Sequence, residues 1–197
     1  MKNKKIIIGS RGSKLALIYA EKAREQILNF ADEFAIKEVV IEKIVTTGDQ
    51  VQNKRISEVG GKGLFTTNIE TELLEKKIDI AVHALKDMPS EEMEGLVTNC
   101  FLKRNDPREI LISKDDKQLK DLPLNSIVGT SSFRREFQIK KIRKDLSCKL
   151  IRGNVDTRIK KLNDNFYDAI LLSYAGINSL GLNKNISQIF SISEIIP

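Results

Sequence analysis

The chain is expected to form an α/β fold in two lobes, and three observations predict this. Short apolar runs end repeatedly in a turn that opens a helical pattern. The polar, proline-bearing break Lys103-Arg104-Asn105-Asp106-Pro107-Arg108 separates two such series. With 197 residues, 41% of them hydrophobic, the chain can bury one large core or two modest ones. The boundary is therefore placed at the break, with one α/β domain over residues 1–103 and a second over residues 104–197.

In the first half, Ile6 to Ile8 read as a buried strand, and Gly9 to Ser13 as the turn into a helix whose apolar face uses Leu15, Ile18, Ala23 and Ile27. Val39 to Val45 form a second strand. Thr46 to Gly63 is polar and glycine-rich, as expected of a mobile loop. Thr67-Asn68-Ile69-Glu70 has capping-box spacing, predicting a helix to about Lys77 with Ile69, Leu73 and Leu74 inward. Asp79 to Ala84 is a third strand, stopped by Leu85-Lys86-Asp87-Met88-Pro89, and Leu96 to Leu102 is a further apolar stretch. The second half repeats the alternation: strands at Ile110–Ser113, Ile127–Val128, Lys149–Ile151 and Asp168–Leu172, with helices from about Ser132 and over Val155–Leu162. No sequence repeat, low-complexity segment or coiled-coil heptad is visible.

Lys and Arg number 33 against 27 acids, a formal charge of +6, which suits an acidic ligand. Nucleic acid is disfavoured, because the excess is dispersed, aromatics are 6% and Trp is absent. Cys100 and Cys148 are far apart and read as reduced core residues; with one histidine, His83, they leave few ligands for a metal site, and none is expected. The three isoleucines after MKNKK are too short for a signal peptide or a membrane span, so a cytoplasmic protein is expected; it is also expected to be a monomer.

Three strand-to-helix turns carry the same chemistry. Val128 to Arg135 runs from a strand through Thr130, Ser131 and Ser132 into Arg134 and Arg135, so hydroxyl and N–H donors meet fork-shaped cations at a helix start. Arg11 with Ser13, and Arg152-Gly153 with Arg158, repeat the pattern. An isolated arginine after a strand is usually a solvated helix-start residue, but several at equivalent strand ends converge on a polycarboxylate ligand. Lys86-Asp87 is either a local turn pair or a fixed negative charge for a cationic intermediate, kept ionised by surrounding arginines. Gly60-Gly61-Lys62-Gly63 lacks the phosphate-loop frame and suits a hinge that carries Lys62 and Phe65 to the ligand. His83, inside an apolar run, reads as a hydrogen-bonded structural residue, and Phe166 and Tyr167 as core or rim.

In order and spacing, IGSRGSKLAL, VGGKGLF, DIAVHALKDMPS, VGTSSFRR, LIRGNVDTRIKKL and YDAILLSYAGINSLGL resemble the porphobilinogen deaminase (hydroxymethylbilane synthase) family over practically the whole chain. The resemblance implies two domains of the periplasmic-binding-protein type II kind around a cleft, followed by a third domain whose cysteine bears a dipyrromethane cofactor. It implies condensation of porphobilinogen into linear hydroxymethylbilane with loss of ammonia, in heme and tetrapyrrole biosynthesis. Asp87 matches the catalytic aspartate. Arg11, Ser13, Lys86, Thr130, Ser131, Ser132, Arg134, Arg135, Arg152, Gly153 and Arg158 match positions holding acid groups of cofactor, substrate or product chain, and Lys62 and Phe65 match the end of the lid.

The sequence departs from that pattern in three places. It stops at Pro197, ahead of the family's return segment to the first domain and of its third domain, so the first domain is expected to be incomplete and the cofactor's anchor absent; neither Cys100 nor Cys148 matches the glycine-flanked anchoring cysteine. Ala84 stands where the family commonly has serine, and Ser179 where it usually has arginine. A two-lobed protein that binds polycarboxylates or pyrroles without turnover is the competing expectation.

Overall fold

A computed structural model of the chain describes residues 4–50 and 63–197. The chain divides into two compact units, Met1–Lys103 and Arg104–Pro197. Among the described residues no helix is long and apolar enough to cross a membrane.

The first unit is built on a parallel sheet in the order β2-β1-β3, with β1 Lys4–Arg11, β2 Ile36–Ile44 and β3 Ile80–Ala81. Helix α1 (Lys14–Leu28) returns the chain from β1 to β2, as a parallel pair requires. Helices α2 (Thr47–Gln50) and α3 (Thr67–Leu74) follow β2. Apolar side chains divide between the two sheet faces: Ile6, Ile8 and Val39 pack with Ala20 of α1, while Ile44, Ile69 and Ile78 form the layer under α3.

Strand β1 is longer than its apolar run suggests. Gly9 pairs with Glu42 and Arg11 with Ile44, so the expected turn is still strand. A Cβ on Gly9 would lie 2.3 Å from Ile78 Cδ1, so this glycine serves close packing inside a strand. Strand β3 is shorter than the predicted Asp79–Ala84. Its last ladder bond is Val82 N–H to Gly9 O, after which a 3₁₀ turn over Leu85–Asp87 draws the chain away. Thr66, and not Thr67, occupies the N-cap position of α3, but it makes no side-chain capping bond; its hydroxyl instead donates to Glu70 Oε2 at 3.1 Å. The helix stops at Leu74, two residues ahead of Lys76 at φ +58°, and Leu74 is exposed. The stretch Leu96–Leu102 is irregular, with Val97, Phe101 and Cys100 exposed, so Cys100 is not a core residue.

The second unit has a five-stranded sheet in the order β6-β5-β7-β4-β8, comprising β4 Glu109–Ser113, β5 Ile127–Gly129, β6 Ser147–Lys149, β7 Ala169–Ser173 and β8 Gln188–Ile189. Strands β5, β6 and β7 are parallel, whereas β4 runs antiparallel to both its neighbours. Helix α4 (Phe133–Ile142) packs on one face, where Leu111, Val128, Ala169 and Leu171 meet Ile139. Helices α5 (Val155–Asn163) and α6 (Tyr174–Ser179) pack on the other, where Ile110, Ile112, Ile170 and Leu172 meet Leu162 and Ile177. Ile110 to Ile112 and Ile170 to Leu172 are continuous apolar runs because both faces of the sheet are covered. Strand β6 lies two residues before the predicted Lys149–Ile151: fully buried Ile151 belongs to the core, not to the ladder. Cys148 is half-buried against the α4-side core.

Both units close a parallel pair with the same device. Asp79, just before β3, accepts the Ile7 N–H at 2.7 Å, and Asp168, just before β7, accepts the Ile127 N–H at 2.8 Å. Each carboxylate thus satisfies a backbone donor of the neighbouring strand.

Two consequences can be measured. A Cβ at Gly129 would come within 2.9 Å of Tyr167 and 3.0 Å of Ile170, so Gly129→Ala is expected to lower the unfolding free energy of the second unit by about 1–3 kcal/mol in denaturant titration. Arg143 donates to the carbonyls of Leu119, Lys120 and Leu122 and forms a two-armed pair with Asp145. That hydrogen bonding lowers the Asp145 carboxyl from 3.8 to about 2. A carboxyl depressed in the folded state stabilises it fully above its unfolded value and loses that effect as pH falls through the folded one. Melting temperatures measured from about pH 5 down to about pH 2 should therefore fall less steeply for Asp145→Asn than for the parent.

Candidate functional site

The chemically distinctive side chains collect at one end of each sheet, beyond the C-terminal ends of the parallel strands, where open α/β sheets take ligands. Each unit presents its own cluster.

In the first unit Arg11 closes β1. Its side chain is 19% exposed, and its Nη2 pairs closely with Asp49 Oδ1 while Nε donates to Asp49 Oδ2 at 3.2 Å. Asp87, on the 3₁₀ turn after β3, lies 3.7 Å from Arg11 Nη1. The guanidinium also stacks over the Phe65 ring, 4.0 Å from its centroid. A Cβ on Gly48 would enter that ring, so only glycine there lets α2 close on Phe65. Thr46 donates to Asp49 at 2.7 Å. Burial raises the Asp49 carboxyl, but the hydrogen bonds from Arg11 and Thr46 and the Arg11 charge outweigh it, and the net shift is downward.

Ser13 caps α1, accepting the Ala16 N–H at 3.3 Å. Lys86 is exposed on the same turn as Asp87. His83 lies beyond β3, and its Nε2 is buried with no hydrogen-bond partner, contrary to the hydrogen-bonded role expected of it. Burial lowers its pKa, the Asp87 charge opposes that and Arg11 adds to it. Lys62, Gly60 and Gly61, assigned to a hinge, lie outside the described residues.

In the second unit several of the donors expected to face an anion have partners within the chain. Thr130 is fully buried, its N–H bonded to Lys149 O and its hydroxyl accepting the Ser132 N–H at 3.2 Å. Ser132 caps α4 by accepting the Arg135 N–H, and Ser131 is half-buried between them. Arg134 and Arg135 then turn back to the sheet. Arg134 Nη2 donates to Glu109 Oε1 at 2.5 Å, and Arg135 Nη2 lies 2.7 Å from Glu109 Oε2. That second approach is off-line for a hydrogen bond and is purely an ion pair.

Arg135 Nη1 reaches Leu171 O at 3.3 Å, and its Nε is buried without an acceptor. Arg158 donates through Nε to the carbonyl of Gly153, which sits at φ +109° with Thr157 against its Cα. Burial, then the charges of Arg135 and Arg152, bring the Arg158 pKa down to about 10, with Tyr167 opposing. Arg135, Arg152 and Arg158 therefore share one electrostatic environment. Tyr167 donates to Leu150 O at 2.6 Å, and Phe166 is exposed.

Arg135, Arg152 and Arg158 are close enough within the second unit for their charges to act on one another, while Arg11 contacts both Phe65 and Asp87 within the first. Sequence reasoning missed the counter-charges Asp49 and Glu109. Glu109 had a faint signal, an acid directly abutting the apolar run Ile110–Ile112; Asp49, in a polar stretch, had none.

A family profile described as "Porphobilinogen deaminase, dipyromethane cofactor binding domain" matches residues 6–197. A porphobilinogen deaminase of Lysinibacillus sphaericus is 45% identical, covering 98% of this chain and 62% of its own length. One of Rickettsia typhi is 45% identical over 98% of this chain and 64% of its own, and one of Bacillus mycoides 49% identical over 90% and 57%. The chain therefore spans about three fifths of the length of these relatives. Among solved structures, a probable amino-acid ABC transporter extracellular-binding protein of Bacillus subtilis aligns with TM-score 0.51 at 13% identity, over 95% of this chain and 82% of that one. This likeness concerns the fold, which is of the periplasmic-binding-protein type II class. With a family profile spanning 6–197 and relatives matched over nearly its whole extent, the chain belongs to the porphobilinogen deaminase family.

Proposed function

We propose that this chain supplies the cofactor- and substrate-holding part of a cytoplasmic porphobilinogen deaminase, a transferase that condenses porphobilinogen stepwise into hydroxymethylbilane and releases ammonia. The observation that carries the reading is the cationic excess of the second unit. Arg134 and Arg135 share the carboxylate of Glu109, and Arg158 is a sheltered guanidinium that feels the positive charges of Arg135 and Arg152. A site so composed favours a ligand bearing several carboxylates.

A dipyrromethane fits these residues, because its acetate and propionate groups match clustered guanidinium donors. Arg134, Arg135, Arg152 and Arg158 would hold its acid groups, with Thr130, Ser131 and Ser132 shaping the turn beside them. When bound, that cofactor supplies a free pyrrole α-carbon from which the product chain is extended. Neither exposed Cys100 nor half-buried Cys148 is assigned its covalent attachment.

Asp87 is the group assigned to catalysis. Loss of ammonia from porphobilinogen leaves a cationic azafulvene, and a fixed carboxylate beside it lowers the barrier. Asp87 sits next to Arg11, whose remaining donors suit the substrate's acid groups, and Lys86 adds an exposed cation on the same turn. Phe65, stacked on Arg11, is assigned to the lid's end, and Lys62 is assigned there by its family match alone. Ala84 removes one hydroxyl beside it, at a cost of about 1 kcal/mol if that hydroxyl bonds substrate.

Incubation with porphobilinogen tests the proposal. Ammonia release with a linear tetrapyrrole would support turnover; saturable binding without product would favour a binding protein. In a full-length version of the protein, Asp87→Asn should keep the melting temperature and substrate affinity near parent values while turnover drops by about 100-fold or more. Equal turnover in parent and variant would remove Asp87 from catalysis. Arg134→Leu should weaken substrate or cofactor binding by about 10- to 100-fold in equilibrium titration, the loss of one charge-assisted contact.

A further inference from the structure

We propose that Glu109 is a positioning residue: it fixes the guanidinium groups of Arg134 and Arg135 in the orientation in which they receive an acid group of the ligand. The ligand half of this inference rests on the function proposed above; the arginine half does not.

Glu109 is 2% exposed, and its two oxygens are divided between Arg134 and Arg135. Consecutive helical residues project about 100° apart, so one carboxylate holding both must draw their side chains together. The carboxylate is carried on a backbone that cannot yield. Glu109 pairs with Ser173 across the β4–β7 ladder, and its carbonyl accepts the Phe190 N–H at 3.0 Å. The outer arms of the arginines end on backbone carbonyls, Leu171 O for Arg135 and Ile196 O for Arg134. The donors left over for a ligand are the outer N–H groups of the two guanidiniums that neither Glu109 nor the backbone carbonyls take up, while Arg135 Nε is sealed from solvent behind the contact with Glu109.

Simple electrostatics and positioning make opposite predictions. Removing an anion from beside Arg135, Arg152 and Arg158 raises the local positive potential and should tighten binding of an acid. Loss of orientation should weaken it.

Glu109→Asp keeps the charge but retracts the carboxylate by one methylene on a fixed strand, so it cannot serve both arginines. The first readout needs no ligand. In ¹⁵N-labelled protein, hydrogen exchange at Arg135 Nε should be slow in the parent and at least about 10-fold faster in Glu109→Asp, because the opening that admits water no longer breaks the double clamp. The second readout is calorimetric titration with porphobilinogen and with citrate as a simple polycarboxylate. Dissociation constants should rise about 10-fold for Glu109→Asp and Glu109→Gln. In an Arg135→Gln background the further change from Glu109→Gln should be less than about twofold, since two residues acting as a unit are not additive.

Unchanged Arg135 exchange, or acid binding that is equal or tighter in the variants, overturns the proposal. If Glu109→Gln fails to fold, Glu109→Asp and the Glu109→Gln/Arg135→Gln pair, which removes both charges together, still decide it. A parent that binds citrate but not porphobilinogen defeats the proposed substrate while leaving Glu109's role standing. A parent that binds neither defeats both.

Discussion

A guanidinium half or more withdrawn from water must find a counter-charge, and much of the architecture at the functional end of this protein follows from that constraint. Arg11 is 19% exposed and Arg135 14%, too sheltered to rely on solvent and too accessible to be core. Each is held by a carboxylate of the chain, Asp49 for the first and Glu109 for the second. Breaking such a pair by removing one partner leaves an uncompensated charge, typically a loss of 3–5 kcal/mol, whereas the intact pair contributes far less to stability. Orientation is the more valuable result.

The two units reach this end by different topologies. The first sheet is parallel throughout, so residues at the start of its strands lie at the far end and cannot neutralise Arg11. The counter-charge comes instead from the segment after β2, where Thr46 and α2 bring Asp49 under the guanidinium and Gly48 lets Phe65 stack on it. In the second unit β4 runs antiparallel to β7, which places its first residue, Glu109, beside the last residue of β7. A strand start thereby sits among strand ends, and a buried acid anchored by the ladder meets the arginines of α4.

Arginines nonetheless crowd one another in the second unit. Burial and neighbouring arginines bring Arg158 down to about 10, a value at which it stays protonated at neutral pH, so the strain is borne by unfavourable cation–cation proximity. The polycarboxylate ligand proposed above would relieve that proximity. That would link the packing of the unit to a family whose profile is described as a dipyrromethane cofactor binding domain.

Much of the α/β alternation could be read from the chain, because it depends on local periodicity and punctuation. The hydroxyl run Thr130 to Ser132 ahead of Arg134 and Arg135 identified a helix start, and Ser132 does cap α4. The long apolar strands of the second unit were likewise visible. Boundaries failed where a residue's role lay outside its own segment: Gly9 breaks no strand because Ile78 needs its space, and Ile151 is apolar because α5 covers it. Residue identity announced which groups carry positive charge, since a guanidinium is cationic wherever it is placed. Which acids answer them was settled by long-range pairing: Glu109 lies 25 positions from Arg134, and Asp49 lies 38 from Arg11. Spacing along a chain holds no record of such contacts, because they form only when strand order and direction bring distant backbones side by side.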